Sequence, residues 1–273
     1  MTTIIAHVSD LHVNSSVALM PPKVTKDDGQ TVTASKTQLW LWSKWLHYWR
    51  LTAHYKEQTG AQVIGVINGD WGDMNRHDGF QLIEPKNTDT VIDMMIEVVE
   101  PMRQVCDKII VVRGTEAHVG GVGWMENRAA KEIGAEPNAQ QGTHSWFYFR
   151  GEFDGVKLTS GHHPGTNSMR PWTRGNEANR RAAIDVASYY GRDWQPALTL
   201  WGHYHHDADS GETHPIRAIY NRCWKVKDAF THKIGLSATR DRIGGLWVFC
   251  KDGRYHVKKQ VYLLPEAKPW TMS

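Results

Sequence analysis

Cysteine is scarce in this 273-residue chain. Cys106, Cys223 and Cys250 are the only three, too few and too scattered for a disulfide framework or a thiolate zinc site, which points to a reducing compartment. Long apolar runs are missing as well. The opening MTTIIAHVSD has neither the basic leader nor the apolar stretch of an export signal, so a soluble cytoplasmic protein with no membrane partner is expected. Charge of one sign is not in excess either: 32 Lys and Arg against 29 Asp and Glu leave a net +3. That balance does not mark a polyanion binder, and it disfavours nucleic acid as a partner without excluding an acidic small substrate.

What the chain has in quantity is histidine and tryptophan, 15 and 13 residues. Short apolar runs at Thr3 to Val8, Gln62 to Ile67, Lys108 to Val112, Val156 to Thr159 and Ala197 to Leu200 each end in a Gly-rich polar loop, as strands of a buried sheet do. Between them, Lys36 to Glu57, Thr88 to Val105, Trp124 to Ile133 and Asn176 to Tyr190 have helical spacing, with Asn176 as an N-cap and Gly134 and Gly191 as stops. This alternation predicts an α/β protein. Lys233 to Ser237, Gly245 to Lys251 and Tyr255 to Leu263 read as further strands, the last two joined by a turn at Asp252-Gly253. No linker separates them, so one domain over residues 1–273 is expected, with the C-terminal strands at about 233–264 completing a second sheet. A flap and a Trp-rich helix form an insertion at about 14–60. That helix carries two adjacent apolar strips, Leu39, Trp42, Leu46 and Trp49 beside Leu41, Trp45 and Tyr48, too much for one exposed helix. Packing against the core is the expectation; a homo-oligomer contact or a cleft wall are the alternatives.

The histidines fall at the strand ends. Strand one delivers Asp10-Leu11-His12 and strand two Gly69-Asp70-Trp71-Gly72-Asp73. Strand three delivers Arg113-Gly114-Thr115-Glu116-Ala117-His118, followed by Gly161-His162-His163 and Gly202-His203-Tyr204-His205-His206. Carboxyl ends of strands in an open α/β sheet line one crevice, so these groups can converge. Imidazoles and carboxylates without thiolates suit a pair of divalent ions of Mn, Zn, Fe, Ni or Co, with one carboxylate between them. Any one pair alone is more simply a polar turn; five at successive strand ends are not.

The order Asp-x-His, Gly-Asp-x-x-Asp, a third motif opened by Gly, a lone His and Gly-His-x-His resembles the calcineurin-like metallophosphoesterase superfamily over roughly residues 3–206. The resemblance implies a four-layer α/β/β/α sandwich, two mixed sheets flanked by helices. It further implies that Asp10, His12 and His205 hold one divalent ion, that His162 and His203 hold a second, and that Asp70 bridges. A hydroxide between the ions would attack phosphorus, while a histidine protonates the leaving oxygen. His163 is a group behind the ligands or a ligand in place of His162, since adjacent strand residues face opposite ways. Asp73 is expected just behind the ligands too.

The third motif departs from the pattern. The family has Gly-Asn-His followed by an acid; here Thr115-Glu116-Ala117-His118 follow Gly114. By register Thr115 takes the Asn position, whereas by chemistry Glu116 is the better ligand and is preferred. His118 then serves the leaving group. Arg113, Arg170 and Arg174 are candidate phosphate clamps or plain loop charges. The His-His-Pro loop resembles those of phosphodiesterases, so hydrolysis of a small or cyclic phosphodiester, with a nucleotide among the substrates in view, ranks ahead of phosphomonoesters and nucleic acids. The compact chain with its short flap resembles phage-encoded and small bacterial members. A non-catalytic metal-binding scaffold with a decayed third motif is the alternative of a different class.

Overall fold

The computed structural model describes residues 2–74, 82–84, 86–165, 173–228 and 241–266. The expected strand at Lys233 to Ser237 lies outside them. In chain order the strands are β1 (Thr3–Ser9), β2 (Lys23–Thr25), β3 (Thr31–Thr33), β4 (Gln62–Asn68), β5 (Lys108–Val112), β6 (Tyr148–Phe153), β7 (Val156–Gly161), β8 (Leu198–Trp201), β9 (Ala208–Asp209), β10 (Arg217–Tyr220), β11 (Arg242–Lys251) and β12 (Arg254–Leu263). The helices are α1 (Lys36–Thr59), α2 (Thr88–Arg103), α3 (Glu116–Val119), α4 (Trp124–Glu132) and α5 (Arg174–Tyr189). Among the described residues no helix is long and apolar enough to cross a membrane.

The strands form two mixed five-stranded sheets, in the orders β12-β11-β1-β4-β5 and β6-β7-β8-β10-β9, and β2 and β3 make a separate hairpin in the flap. The first sheet presents Ile5, Ile64, Val66, Ile110, Val112 and Val248 to Leu158, Leu198, Leu200 and Ile219 of the second, so the sheets pack face to face through one apolar layer. The opposite face of the first sheet is covered by α1, α2 and α4 through Trp45, Met95 and Ala129. That of the second is covered by Ala178 and Ala182 of α5 against Trp201 and Tyr220. The architecture is therefore the four-layer α/β/β/α sandwich. Central strand β1 is buried along all seven residues, as expected of a strand covered on both faces.

Two boundaries differ from expectation. The C-terminal hairpin does not complete the second sheet: β11 runs antiparallel to β1, pairing Ile5 with Val248 and Ala6 with Trp247, and β12 follows it at the edge of the first. Residues Asp252 and Gly253 both take positive φ, 50° and 74°, the two-residue turn whose twist suits a hairpin, and β1 is the edge that would otherwise be left with unpaired backbone groups. Helix α5 opens at Arg174 after an N-cap at Thr173, not at Asn176, and no side chain caps it.

Helix α1 starts in a reciprocal capping box between Ser35 and Gln38 and stops at Gly60 in the left-handed conformation. It turns Leu41, Trp45, Tyr48 and Trp49 inward and leaves Leu39 43 % exposed, with Trp42 and Leu46 half-buried. Tyr48 stacks on Trp247 at 4.6 Å and 6°, Trp45 meets Trp224 edge-on at 4.8 Å, and three of the buried polar tips have acceptors. The Trp45 indole donates to the Val98 carbonyl (2.7 Å), the Tyr48 hydroxyl to the Leu246 carbonyl (2.8 Å) and the Trp247 indole to Thr52 Oγ1 (2.8 Å). Trp45 and Trp49 of this helix thus belong to the core, with Trp40 and Trp42 packed against it. Trp247→Ala should cost about 3–5 kcal/mol of unfolding free energy, read as a fall in the denaturation midpoint in urea.

Candidate metal centre

The loops that leave β1, β4 and β8 are tightly wound. Asp10 (φ 54°), His12 (46°), Asp70 (46°), His203 (74°) and His205 (56°) all occupy the left-handed region, which non-glycine residues seldom enter and which concentrates at functional sites. The close winding is enforced by neighbours. At Gly114 a Cβ would lie 2.1 Å from the Asp70 nitrogen, and at Gly202 it would lie 2.1 Å from Ser9 Oγ and 2.8 Å from Asp10 Oδ2. Only bare backbone fits between these loops.

Three groups of ligand-type side chains result among the described residues, Asp10 with His12 and His205, Asp70 with His162 and His203, and His12 again with Asp73 and His118, each offering three atoms within 4.8 Å of one another. In the first, His12 Nε2 and His205 Nε2 are 3.0 Å apart and Asp10 Oδ1 is 3.3 Å from His205 Nε2. In the second, Asp70 Oδ2 lies 3.0 Å from His162 Nε2 and 4.0 Å from His203 Nδ1. Asp10 Oδ1, 3.8 Å from His162 Nε2, connects them. The resemblance implied one ion on Asp10, His12 and His205 and a second on His162 and His203, with Asp70 as the bridge. His162 Nδ1 is committed to the Asn68 carbonyl at 2.8 Å, so its Nε2 presents a lone pair toward two carboxylates. Asp10 Oδ1, His162 Nε2 and His203 Nδ1 are buried without a hydrogen bond among the described residues. Acceptor atoms facing one another in a buried site, with no donor between them, fit a divalent cation.

In the metal-free chain a proton on His162 Nε2 takes the place of that cation. Burial by itself would lower the His162 imidazole, but the carboxylates of Asp70 and Asp10 overcome this and raise it to about 10. Burial would raise the Asp70 carboxyl, yet His162 holds it well below the usual range. The site demands positive charge.

Behind the first group stands Asp73. Its Oδ1 lies 3.0 Å from His118 Nδ1, while its Oδ2 is 3.4 Å from His12 Nδ1 and 3.6 Å from Lys225 Nζ. The His118 ring meets the His12 ring edge-on at 4.6 Å. Burial would lower the His118 imidazole; the Asp73 hydrogen bond reverses this and raises it. Lys225 was not anticipated from sequence. It lies just past β10, in a loop where Trp224 N donates to the Asp10 carbonyl (3.0 Å) and Asn221 donates to both the carbonyl (2.9 Å) and Nδ1 (3.0 Å) of His7. His7 in turn reaches Ser160 across the two sheets at 3.2 Å. An Asn and a Lys in a loop without a motif give no local signal.

The third strand end resolves into distinct placements. Thr115 donates to Asp70 Oδ1 from both N (2.7 Å) and Oγ1 (3.0 Å). Glu116 opens α3, is exposed, and accepts from Val122 N at 3.3 Å; it does not join either group. His163 is exposed, with its ring 4.2 Å from that of His203. The buried Arg113 donates to Ser145 Oγ (2.9 Å) and covers the Phe147 ring at 4.4 Å. Arg174 is the first residue of α5; Arg170 lies outside the described residues.

No family model matches the chain, and no curated protein does. Solved structures similar to it include a dimetal phosphatase from Danio rerio (8 % identity, covering 96 % of this chain and 98 % of that one, TM-score 0.47). Others are Vacuolar Protein Sorting 29 from Cryptosporidium parvum (10 %, 96 % and 98 %, 0.43) and a 5′-nucleotidase from Candida albicans (11 %, 94 % and 50 %, 0.46). At such scores these likenesses carry no functional weight. Two facing mixed sheets between helical layers, with side chains gathered from the loops after β1, β4, β5, β7 and β8, are the arrangement observed here. Adding Mn²⁺ or Zn²⁺ at 100 times its dissociation constant should stabilise the folded chain by about 2.7 kcal/mol. Thermal melting reads this as a rise that EDTA reverses and that His205→Ala diminishes.

Proposed function

We propose that the chain is a binuclear metallophosphoesterase that hydrolyses small phosphodiesters, nucleotides among them. The observation that carries this reading is the pair of His/Asp groups whose buried acceptor atoms face one another without donors. Asp10, His12 and His205 would hold one divalent ion and His162 and His203 the other, with Asp70 between. Divalent cations bound there supply Lewis acidity, which lowers the pKa of water and offsets phosphoryl charge. The residues around them divide the remaining work. Thr115, through its N–H and hydroxyl, locks the orientation of the Asp70 carboxylate. Asp73 holds His118 by Nδ1, leaving Nε2 to deliver a proton to the departing oxygen. Lys225 and His12 share the other Asp73 oxygen, so the carboxylate cannot rotate away from either imidazole.

On this reading Glu116 is not a ligand; it ties its own loop to Val122. Glu116→Gln is expected to keep two ions per chain by metal analysis and to hydrolyse bis(p-nitrophenyl) phosphate within about twofold of the parent, since an exposed carboxylate has little to lose. His118→Ala should keep both ions and lose about 10²–10⁴ in kcat, most for poor leaving groups. Loss of an ion instead would make His118 a ligand. A parent protein with two ions and no turnover of this diester, of p-nitrophenyl phosphate, of cyclic AMP or of single-stranded DNA would establish the non-catalytic scaffold; the relative rates otherwise order the substrate classes.

A further inference from the structure

Glu126 is the third residue of α4 and is fully buried. No strand-end motif includes it. Its two carboxylate oxygens are spent on two different loops: Oε1 accepts from Trp71 N at 2.9 Å and Oε2 from Gly114 N at 2.7 Å. Trp71 is the residue after Asp70, and Gly114 is the residue before Thr115. The contact closes a circuit, because Thr115 N donates back to Asp70 Oδ1 at 2.7 Å. Within it, Gly114 presses on the Asp70 backbone so closely that a side chain has no room, and Asp70 is held at φ 46°. A two-acceptor carboxylate of this length satisfies both amides. A glutamine would turn its NH₂ toward one N–H donor, and an aspartate is one methylene short. The first-turn position on α4 adds the favourable end of the helix dipole.

We propose that Glu126 is a positioning residue of the metal centre: its carboxylate clamps the β4 and β5 loops together and thereby fixes the Asp70 carboxylate between the two groups of ligands. This rests on the binuclear reading above. Glu126 touches neither an ion nor substrate, so its effect should appear in ion binding before it appears in turnover.

The test is calorimetric titration of the metal-free full chain with Mn²⁺, with thermal melting in EDTA alongside, for the parent, Glu126→Gln, Glu126→Asp and Glu132→Gln, the last an exposed residue of the same helix. The expected result is one binding step weakened about 10–100-fold in Glu126→Gln, the range typical of groups that orient ligands, with the other step unchanged. Glu126→Asp should fall between, and Glu132→Gln should match the parent. Both steps at parental affinity in the Glu126 variants, whatever their melting temperatures, would overturn the proposal, as would an equal weakening of both steps that follows the loss of melting temperature. Amide exchange in the metal-free parent supplies a measurement independent of any variant's folding. The Trp71 and Gly114 amides should already be protected, and free exchange at either shows that no clamp is formed in advance. A parent that binds no Mn²⁺ at all would instead remove the binuclear reading itself, and the clamp's purpose with it.

Discussion

Asp70 and His162 meet at 3.0 Å with a buried carboxylate oxygen facing a buried ring nitrogen, and most of the local structure follows from making that encounter tolerable. A carboxylate taken out of water is costly unless it is paired and hydrogen-bonded. Here the Asp70 carboxylate receives the Thr115 amide and hydroxyl on one oxygen and turns the other toward His162 and His203. The same arrangement leaves Asp10 Oδ1 without a donor. The fold holds these groups apart from solvent and close to one another, which is unfavourable for the chain alone and favourable once positive charge enters.

Rigidity makes this arrangement sustainable. Five of the ligand-type residues, Asp10, His12, Asp70, His203 and His205, occupy left-handed backbone positions just past buried strands, so the strain is held by sheets whose register is fixed by their pairing. Further ties link the loops directly: Asn221 to His7, Trp224 to the Asp10 carbonyl, and Glu126 to the Trp71 and Gly114 amides. Asp73 extends the same logic outward, since one carboxylate orients both His12 and His118.

Five strand ends were readable because both signals are local: an apolar run of strand length, then a ligand-capable residue within a few positions. Inward and outward neighbours were readable at His162 and His163 for the same reason. Sheet membership of the C-terminal hairpin was not, because which edge a hairpin joins depends on a strand more than two hundred residues away. Strands β6, β9 and β10 were missed, being short or broken by Gly and charge. Glu116 illustrates the limit in the site itself. Chemistry favours a carboxylate over a hydroxyl, but Thr115 is extended (φ −81°, ψ 144°) and α3 begins at Glu116, and it is Thr115 that bonds Asp70 while the Glu116 carboxylate meets the Val122 amide.

The sequence by itself determined that this chain is an α/β protein with imidazoles and carboxylates at successive strand ends, because periodicity and residue type are properties of short segments. Only the tertiary structure decided which of those groups face one another, and that Lys225, Asn221 and Glu126 support them. Those decisions depend on the approach of loops from different strands within about 3 Å, the distance over which hydrogen bonds act, and no local pattern encodes it.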